Sequence, residues 1–408
     1  MKSLRHLFRI GPGPSSSHTI GPFRAAFAFK ERIAGIPVSK IRVTFYGSLA
    51  LTGIGHSSNS AIRSGLNGYE IEEVFDIKTT PPHPLTMDFE AFHQDQIVKK
   101  CRYFSLGGGE ISSNDDPEVN EKDVYPFQTF EEIKALMQEK GYSSIKELCL
   151  AYEDPSIDEY LMSVLKEMLR CVENGLKKSG PIPSNSNPRL ALCRSAKSVY
   201  EAAERMGHHE GRKEILMTAY AYAVAESNAC GERIVTAPTC GSSGVLPSCL
   251  YYLHKQRHVP LVLLRDALYA DGIFGNVVKA NASIAGSVGG CQAEIGTAAS
   301  MAAAALSSAA GLTLYQIEYA AECAMEHFLG LSCDPVDGYV IIPCIERNGI
   351  GALRASASYL YARHISPIRK NQVRFDDVVT AMKLTGESLS SDIKETAEGG
   401  LARILRCN

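Results

Sequence analysis

Three of the chain's 12 cysteines stand in unusual settings. Cys291 lies in Gly289-Gly290-Cys291-Gln292-Ala293-Glu294, where an Ala-rich helical stretch begins. Cys333 lies in Leu331-Ser332-Cys333-Asp334-Pro335, just after Gly330 ends a helix. Cys344 lies in Ile342-Pro343-Cys344-Ile345-Glu346-Arg347-Asn348, ahead of the next helix. Helix boundaries let a thiol face a shared space, and a helix N-terminus favours the thiolate, the metal-binding form. Three thiolates on a [4Fe–4S] cubane would leave one iron open to a ligand. Spacing alone does not select that reading. The intervals follow no ferredoxin pattern, and the short Cys hooks of zinc sites are absent. Cys101, Cys149, Cys171, Cys193, Cys230, Cys249 and Cys323 read as small apolar residues of a reduced core, and Cys240 as a pocket-lining residue.

Two segments near the N-terminus carry hydroxyls and histidines. In Gly13-Pro14-Ser15-Ser16-Ser17-His18-Thr19, a Gly/Pro loop precedes a helix that opens at Pro22 and runs to about Ile33. Hydroxyls and free N–H groups at its positive end would suit a carboxylate. Serine caps alone would give the same composition. In Gly47-Ser48-Leu49-Ala50-Leu51-Thr52-Gly53-Ile54-Gly55-His56, His56 sits where a strand gives way to loop and helix. An imidazole there suits proton transfer near neutral pH, and a helix-capping histidine is the plainer alternative.

The elements that would position these groups divide into two parts. Lys40–Phe45 alternates apolar and polar residues as a half-buried strand does, and Cys101–Leu106 is a second strand. Ser58 to Leu66 reads as a helix. From about Ile157 the pattern is helical, with helices near 190–206, 211–229, 243–257, 291–310, 314–328 and 345–364. The fold class expected is an α+β N-terminal domain, residues 1–153, followed by a mostly α-helical C-terminal catalytic domain, residues 154–408, read as all-helical. The Ala- and Ser-rich stretch Ala298–Ala310 should be a central buried helix.

Bulk properties narrow the function classes. A chain of 408 residues with 45% hydrophobic and 21% charged residues can bury a large core. A net charge of −3 offers no basic surface for nucleic acid. No apolar run reaches the length of a membrane span, and no signal core follows the basic Met1–His6. The expected partners are a small-molecule substrate and copies of the chain itself, a dimer first, in the cytoplasm.

Taken together, the segments resemble the iron–sulfur L-serine dehydratase (L-serine ammonia-lyase) family. The Ser-His segment with Gly21-Pro22, and Gly47–Gly53 with Gly55-His56, are similar to signatures of its β part. Glu226-Ser227-Asn228-Ala229, Thr236-Ala237-Pro238-Thr239, Asn281-Ala282-Ser283-Ile284 and the three cysteine segments are similar to its α part. The match runs over nearly the whole chain in family order. The resemblance implies a [4Fe–4S] cluster on Cys291, Cys333 and Cys344, β and α parts fused in one chain, and conversion of L-serine to pyruvate and ammonia. Two positions depart from the family pattern: Asn59 replaces an acidic residue, and Cys240 stands where single-chain members often carry Asn.

On this reading His56 is the first choice for the base that takes the Cα proton and His18 the second. Ser16, Ser17 and Thr19 would hold the carboxylate. Cys407, on a tail following Gly399-Gly400, could reach the open iron as a fourth ligand. The rivals are the same elimination on L-threonine or L-cysteine, a non-catalytic amino-acid sensor, and a cysteine hydrolase using Cys291 or Cys240 with His56. A pyridoxal phosphate enzyme could perform the same dehydration, but no lysine stands in a convincing Schiff-base setting.

Overall fold

The alternation at Lys40–Phe45 is realised as one strand of a five-stranded sheet. In the computed structural model, which describes residues 1–182, 191–207 and 209–407 apart from the side chains of Arg406 and Cys407, the strands are β1 (Ile10–Pro12), β2 (Lys40–Tyr46), β3 (Ile71–Asp76), β4 (Thr86–His93), β5 (Gln96–Gly107), β6 (Glu110–Ser112) and β7 (Arg233–Val235). The sheet order is β3-β2-β4-β5-β6. β2 and β3 run parallel and the other neighbours antiparallel. Val43 pairs with Phe89, which pairs in turn with Cys101, so each strand sends a buried side chain to the same face. The helices Gly21–Arg32 and Ser58–Gly65 cover that face with Ala25, Ala26, Phe29 and Ile62. A sheet packed on one side only gives the alternation read from the sequence.

The rest of the chain is mostly helical. The helix Leu261–Asn281, which no periodicity announces, packs along Thr297–Ala309. Its middle is buried on every side, so an amphipathic stripe never develops. Small residues permit the close approach. A Cβ on Gly275 would lie 2.7 Å from Met301 Sδ, and Ala298, Ala299, Ala302 and Ala305 are fully buried. This is the central helix expected from the Ala-rich stretch.

Phe274 fixes one end of this core. Its ring stacks on Phe130 with centroids 4.5 Å apart and meets Phe375 edge-on at 4.7 Å. Phe274→Ala should lower unfolding free energy by about 3–5 kcal/mol, the cost of emptying a buried aromatic site. Guanidinium denaturation of the two proteins side by side checks this.

The two largest cores do not follow one cut in sequence. The sheet core draws on residues 25–111, whereas Met1, Leu4, Leu7, Phe8 and Ile20 join Tyr125, Phe127 and the helices in the other. The Met1 ammonium donates to Tyr125 O at 2.7 Å. β1 pairs antiparallel with β7, the described strand of the helical part. The segment entering the Ser-His turn is thus fastened to the helical part before the sheet begins.

Candidate functional site

The Ser-His segment is a helical turn in its own right. Ser16–Ile20 forms a π-helical turn continuous with Gly21–Arg32, and Ser15 caps it by accepting from His18 N at 3.1 Å. Every residue from Ser15 to Ile20 is buried. The Pro14 carbonyl accepts from Asn228 Nδ2 at 2.8 Å. A Cβ on Gly13 would lie 2.3 Å from Asn228 O, so only glycine fits against that helix.

This turn brings His18 against His56. The rings stack with centroids 4.4 Å apart. His56 Nδ1 donates to Thr52 O at 3.0 Å, which leaves Nε2 as the basic nitrogen. Thr19 Oγ1 donates to His56 O at 2.6 Å and fixes the same residue from the other side. The His18 ring is more fully engaged. The Ser48 hydroxyl donates to Glu395 O and the Thr52 hydroxyl to Ser48 O. Both oxygens can therefore only accept from His18 Nε2, at 3.0 and 3.1 Å. The opposite nitrogen, Nδ1, accepts from Ser17 Oγ at 2.9 Å. Burial lowers both imidazoles, His56 to about 4 and His18 well below its ordinary value, where the neighbouring His56 adds to the effect.

A strap from the C-terminal region closes the site. Cys333 N donates to Ile393 O at 2.9 Å and Glu395 N donates to Cys333 O at 2.7 Å. Glu395 takes a left-handed backbone, φ 59°, which a non-glycine residue adopts only when its surroundings hold it there. Its carboxylate oxygen Oε1 lies 3.6 Å from His18 Nδ1 and 3.8 Å from His56 Nε2. Oε2 is buried without a hydrogen-bond partner. Leu401 N donates to Asp334 Oδ2 at 2.8 Å, docking the helix Gly400–Cys407. The Cys407 side chain, expected as a fourth ligand, lies outside the described residues.

The three cysteines meet on the other side of Glu395. Cys291, Cys333 and Cys344 line one enclosed pocket together with His56, Glu294 and Glu395. Cys333 Sγ donates to Glu294 Oε2 at 3.9 Å, and the interaction between the neighbouring Cys291 and Cys333 thiols pushes Cys291 down and Cys333 up. Burial pushes the Cys344 thiol up. Arg347 approaches all three. Burial opposes its charge, but the Cys291 and Cys344 thiols and Asp334 hold it cationic. Its guanidinium donates to Ser332 O at 2.8 Å and Asp334 Oδ1 at 3.1 Å. Asn348 donates to Gly241 O at 2.8 Å and Cys344 O at 2.9 Å, tying two walls together. Gln292 does the same for the Cys291 turn, donating to Met382 O and accepting from Gly330 N, both at 3.0 Å. Glu294 accepts from Thr239 Oγ1 at 2.7 Å, and burial raises its carboxyl. An open cleft of about 580 Å³ abuts the pocket, with Pro14 on both walls.

Comparison with known proteins gives this arrangement a context. Residues 96–402 match the model of the serine dehydratase alpha chain and residues 3–79 that of the serine dehydratase beta chain. The chain belongs to the serine dehydratase family. It is 37% identical to the L-serine dehydratase of Streptomyces coelicolor and 35% identical to that of Helicobacter pylori, in each case over 99% of both chains. With L-serine dehydratase 1 of Escherichia coli it shares 34% identity over the full length of both.

Among the residues singled out from the family signatures, the geometry brings His18, His56, Cys291, Cys333 and Cys344 together. Of the three adjacent serines, Ser15 is the one on the pocket wall, while Ser17 bonds to His18 and Thr19 lines the open cleft. Ser16 is buried at the start of the turn. Cys240 proves to be a core residue, fully buried in the larger hydrophobic cluster, and Gly241 takes the wall position expected of it. The His56 ring is oriented by Thr52 O, a contact that does not involve Asn59. Sequence reasoning missed Glu395 and Glu294. Glu294, three residues from Cys291 in a serine dehydratase signature, could have been found. Glu395 offered only its proximity to Gly399-Gly400.

The histidines also set a pH dependence of stability. The unfolded chain protonates His56 below about 6.5, whereas the folded chain resists until about 4. This contribution is full above the unfolded value and is lost as pH falls toward the folded one, amounting to roughly 2 kcal/mol lost by about pH 5. His18 acts in the same direction. Buried carboxyls such as Glu322, pushed up to about 8, act in the opposite direction, so the histidine contribution is read by difference: urea midpoints of iron-free wild type should lose more on going from neutral to mildly acidic pH than those of His56→Asn.

Proposed function

We propose that this chain is a lyase that deaminates L-serine to pyruvate and ammonia, with a [4Fe–4S] cluster held by Cys291, Cys333 and Cys344. The observation that carries the reading is the single buried pocket shared by the three thiols and His56. The names of the relatives, L-serine dehydratases across their full length, support the substrate. The donor set suits the cluster, because thiolates are the usual ligands of iron–sulfur centres. Glycine at 286 supports the reading by leaving the donors uncrowded: a Cβ there would lie 2.8 Å from Glu294 Oε2 and 2.9 Å from Cys333 Sγ.

When bound, the cluster supplies a Lewis-acidic iron for the β-hydroxyl, without redox work. The chain's own groups handle the rest of the substrate. The neutral His56 takes the Cα proton at Nε2, and the bond from Nδ1 to Thr52 O keeps that lone pair turned inward. Its stacked neighbour His18 is held by Ser17, Ser48 and Thr52 and maintains the ring's position. The start of the helical run takes the carboxylate, with Ser15 on the pocket wall and the backbone N–H groups of Ser16 and Ser17 behind it, where the helix dipole favours negative charge. Thr19 acts through its bond to His56 O. Loss of the Cα proton and the β-hydroxide leaves aminoacrylate, which tautomerises to the imine and adds water to give pyruvate and ammonia.

No described helix is long and apolar enough to cross a membrane. A cytoplasmic homodimer completes the proposal. The test is anaerobic purification, an absorption spectrum, and a pyruvate or 2-oxoacid assay on L-serine, L-threonine and L-cysteine in parallel. A brown protein with serine as the preferred substrate is expected. Full turnover by a colourless, iron-free preparation would sink the cluster assignment, and preference for either rival amino acid would sink the substrate assignment.

A further inference from the structure

Among the described residues Glu395 is an acidic side chain with an oxygen within 3.8 Å of both histidines and a place on the wall shared with the thiols. Oε1 lies 3.6 Å from His18 Nδ1 and 3.8 Å from His56 Nε2. On the thiol side, one oxygen each of Glu395 and Glu294 lies with Cys333 Sγ inside a mutual distance of 4.8 Å. Its second oxygen, Oε2, is buried and makes no hydrogen bond among the described residues, while the backbone N–H of Ser287 faces the carboxyl group. A buried carboxylate oxygen left without a partner is costly, so a chain that keeps one has a use for it. The cost of reaching this position is visible in the backbone as well, since Glu395 is held at φ 59° by its bonds to Cys333 and Ser48.

The charge balance around it indicates what is missing. Glu294, Glu395 and three thiols converge on the pocket, burial pushes both carboxyls up, and among the described residues Arg347 is the cation that approaches the thiols. Both histidines are held neutral by burial. Buried charges persist when they are paired. The substrate in the proposed reaction brings a cation of its own, the α-ammonium.

We propose that Glu395 receives the substrate's α-ammonium group through Oε2 and thereby selects amino acids over the corresponding hydroxy acids. The inference rests on the proposed amino-acid lyase activity. It follows from connectivity as well as charge. The Cα proton must point at His56 Nε2, and the ammonium nitrogen is about 1.5 Å from the same carbon. The Glu395 carboxyl has Oε1 3.8 Å from that ring nitrogen, so an ammonium on the reacting carbon falls beside the same carboxyl, whose other oxygen is Oε2. The carboxylate end of the substrate is left to the Ser16–Ser17 turn, and the β-hydroxyl to the thiol side.

L-alanine and L-lactate provide a direct probe, since they differ only in ammonium against hydroxyl and neither carries a β-hydroxyl to eliminate. Binding of each is measured by anaerobic calorimetry on the cluster-loaded holoenzyme, with the visible absorbance recorded alongside. Wild type should bind L-alanine at least tenfold tighter than L-lactate. Glu395→Gln should reduce that ratio tenfold or more while the absorbance is retained. Glu395→Asp, which keeps the charge on a shorter arm, should retain a preference for L-alanine at lower affinity. An unchanged ratio in Glu395→Gln overturns the assignment. So does absorbance lost in Glu395→Gln but kept in Glu395→Asp, because the carboxylate would then serve the cluster. A wild type that clearly discriminates the two ligands yet makes no pyruvate from L-serine would instead count against the proposed reaction.

Discussion

His56→Asn is expected to lower kcat for L-serine by about 10²–10⁴-fold, the range a positioned general base supplies. Asparagine keeps a donor for Thr52 O, so the turn carrying residue 56 should stay in place. It lacks a basic nitrogen, so the Cα proton has nowhere to go. The cluster absorbance should be unchanged, which separates a lost base from a lost cofactor. His18→Asn should have a smaller effect on kcat. Both nitrogens of that ring are committed to Ser17, Ser48 and Thr52, and its role is to hold His56. A single-turnover experiment with L-serine deuterated at Cα checks the assignment. The isotope effect should grow in His56→Asn as proton removal becomes the slow step. Equal losses in the two variants, or a larger one in His18→Asn, would exchange their roles.

Cys333→Ala should abolish both the visible absorbance and pyruvate formation. Two thiols would remain, too few to hold a cubane against exchange with solvent thiols. The fold should survive, because Cys333 meets the strap through its backbone N–H and C=O, and alanine keeps both bonds. Far-UV circular dichroism should therefore match wild type. Cys323→Ala is the control. That cysteine is buried in the helical core away from the pocket and should retain colour and turnover. Full activity in Cys333→Ala would remove the basis of the proposed mechanism.

The site was legible where its chemistry is carried by short contiguous motifs. Cys291, Cys333, Cys344, His18 and His56 each announce themselves by their neighbours, and the chain folds them together. Glu395 was not legible, because its significance comes from a backbone pairing with Cys333, 62 residues away by the numbering. The Ser16–Ile20 turn was read as loop because Gly, Pro and Ser favour caps and turns locally. Burial against the neighbouring helices and the Asn228 contact outweigh that preference. In the sheet, β2 was plain from its alternation, whereas β3 is half-buried along its length and shows none. The helix Leu261–Asn281 escaped for the opposite reason, being buried all round from Ala267 to Val278.

The strap has a consequence for the order in which the site comes into being. Translation delivers both histidines first, then the three cysteines, and Ile393–Glu395 after all of them. A nascent chain therefore carries Cys291, Cys333 and Cys344 before it has the segment that seals them in. During that interval the pocket would be open on the Cys333 side, the stage at which the iron and sulfide of the proposed cluster would have the freest entry. A message broken before codon 393 would yield a product with the three pocket thiols, no cover over them and no Cys407, exposed to oxidation from the moment it is made.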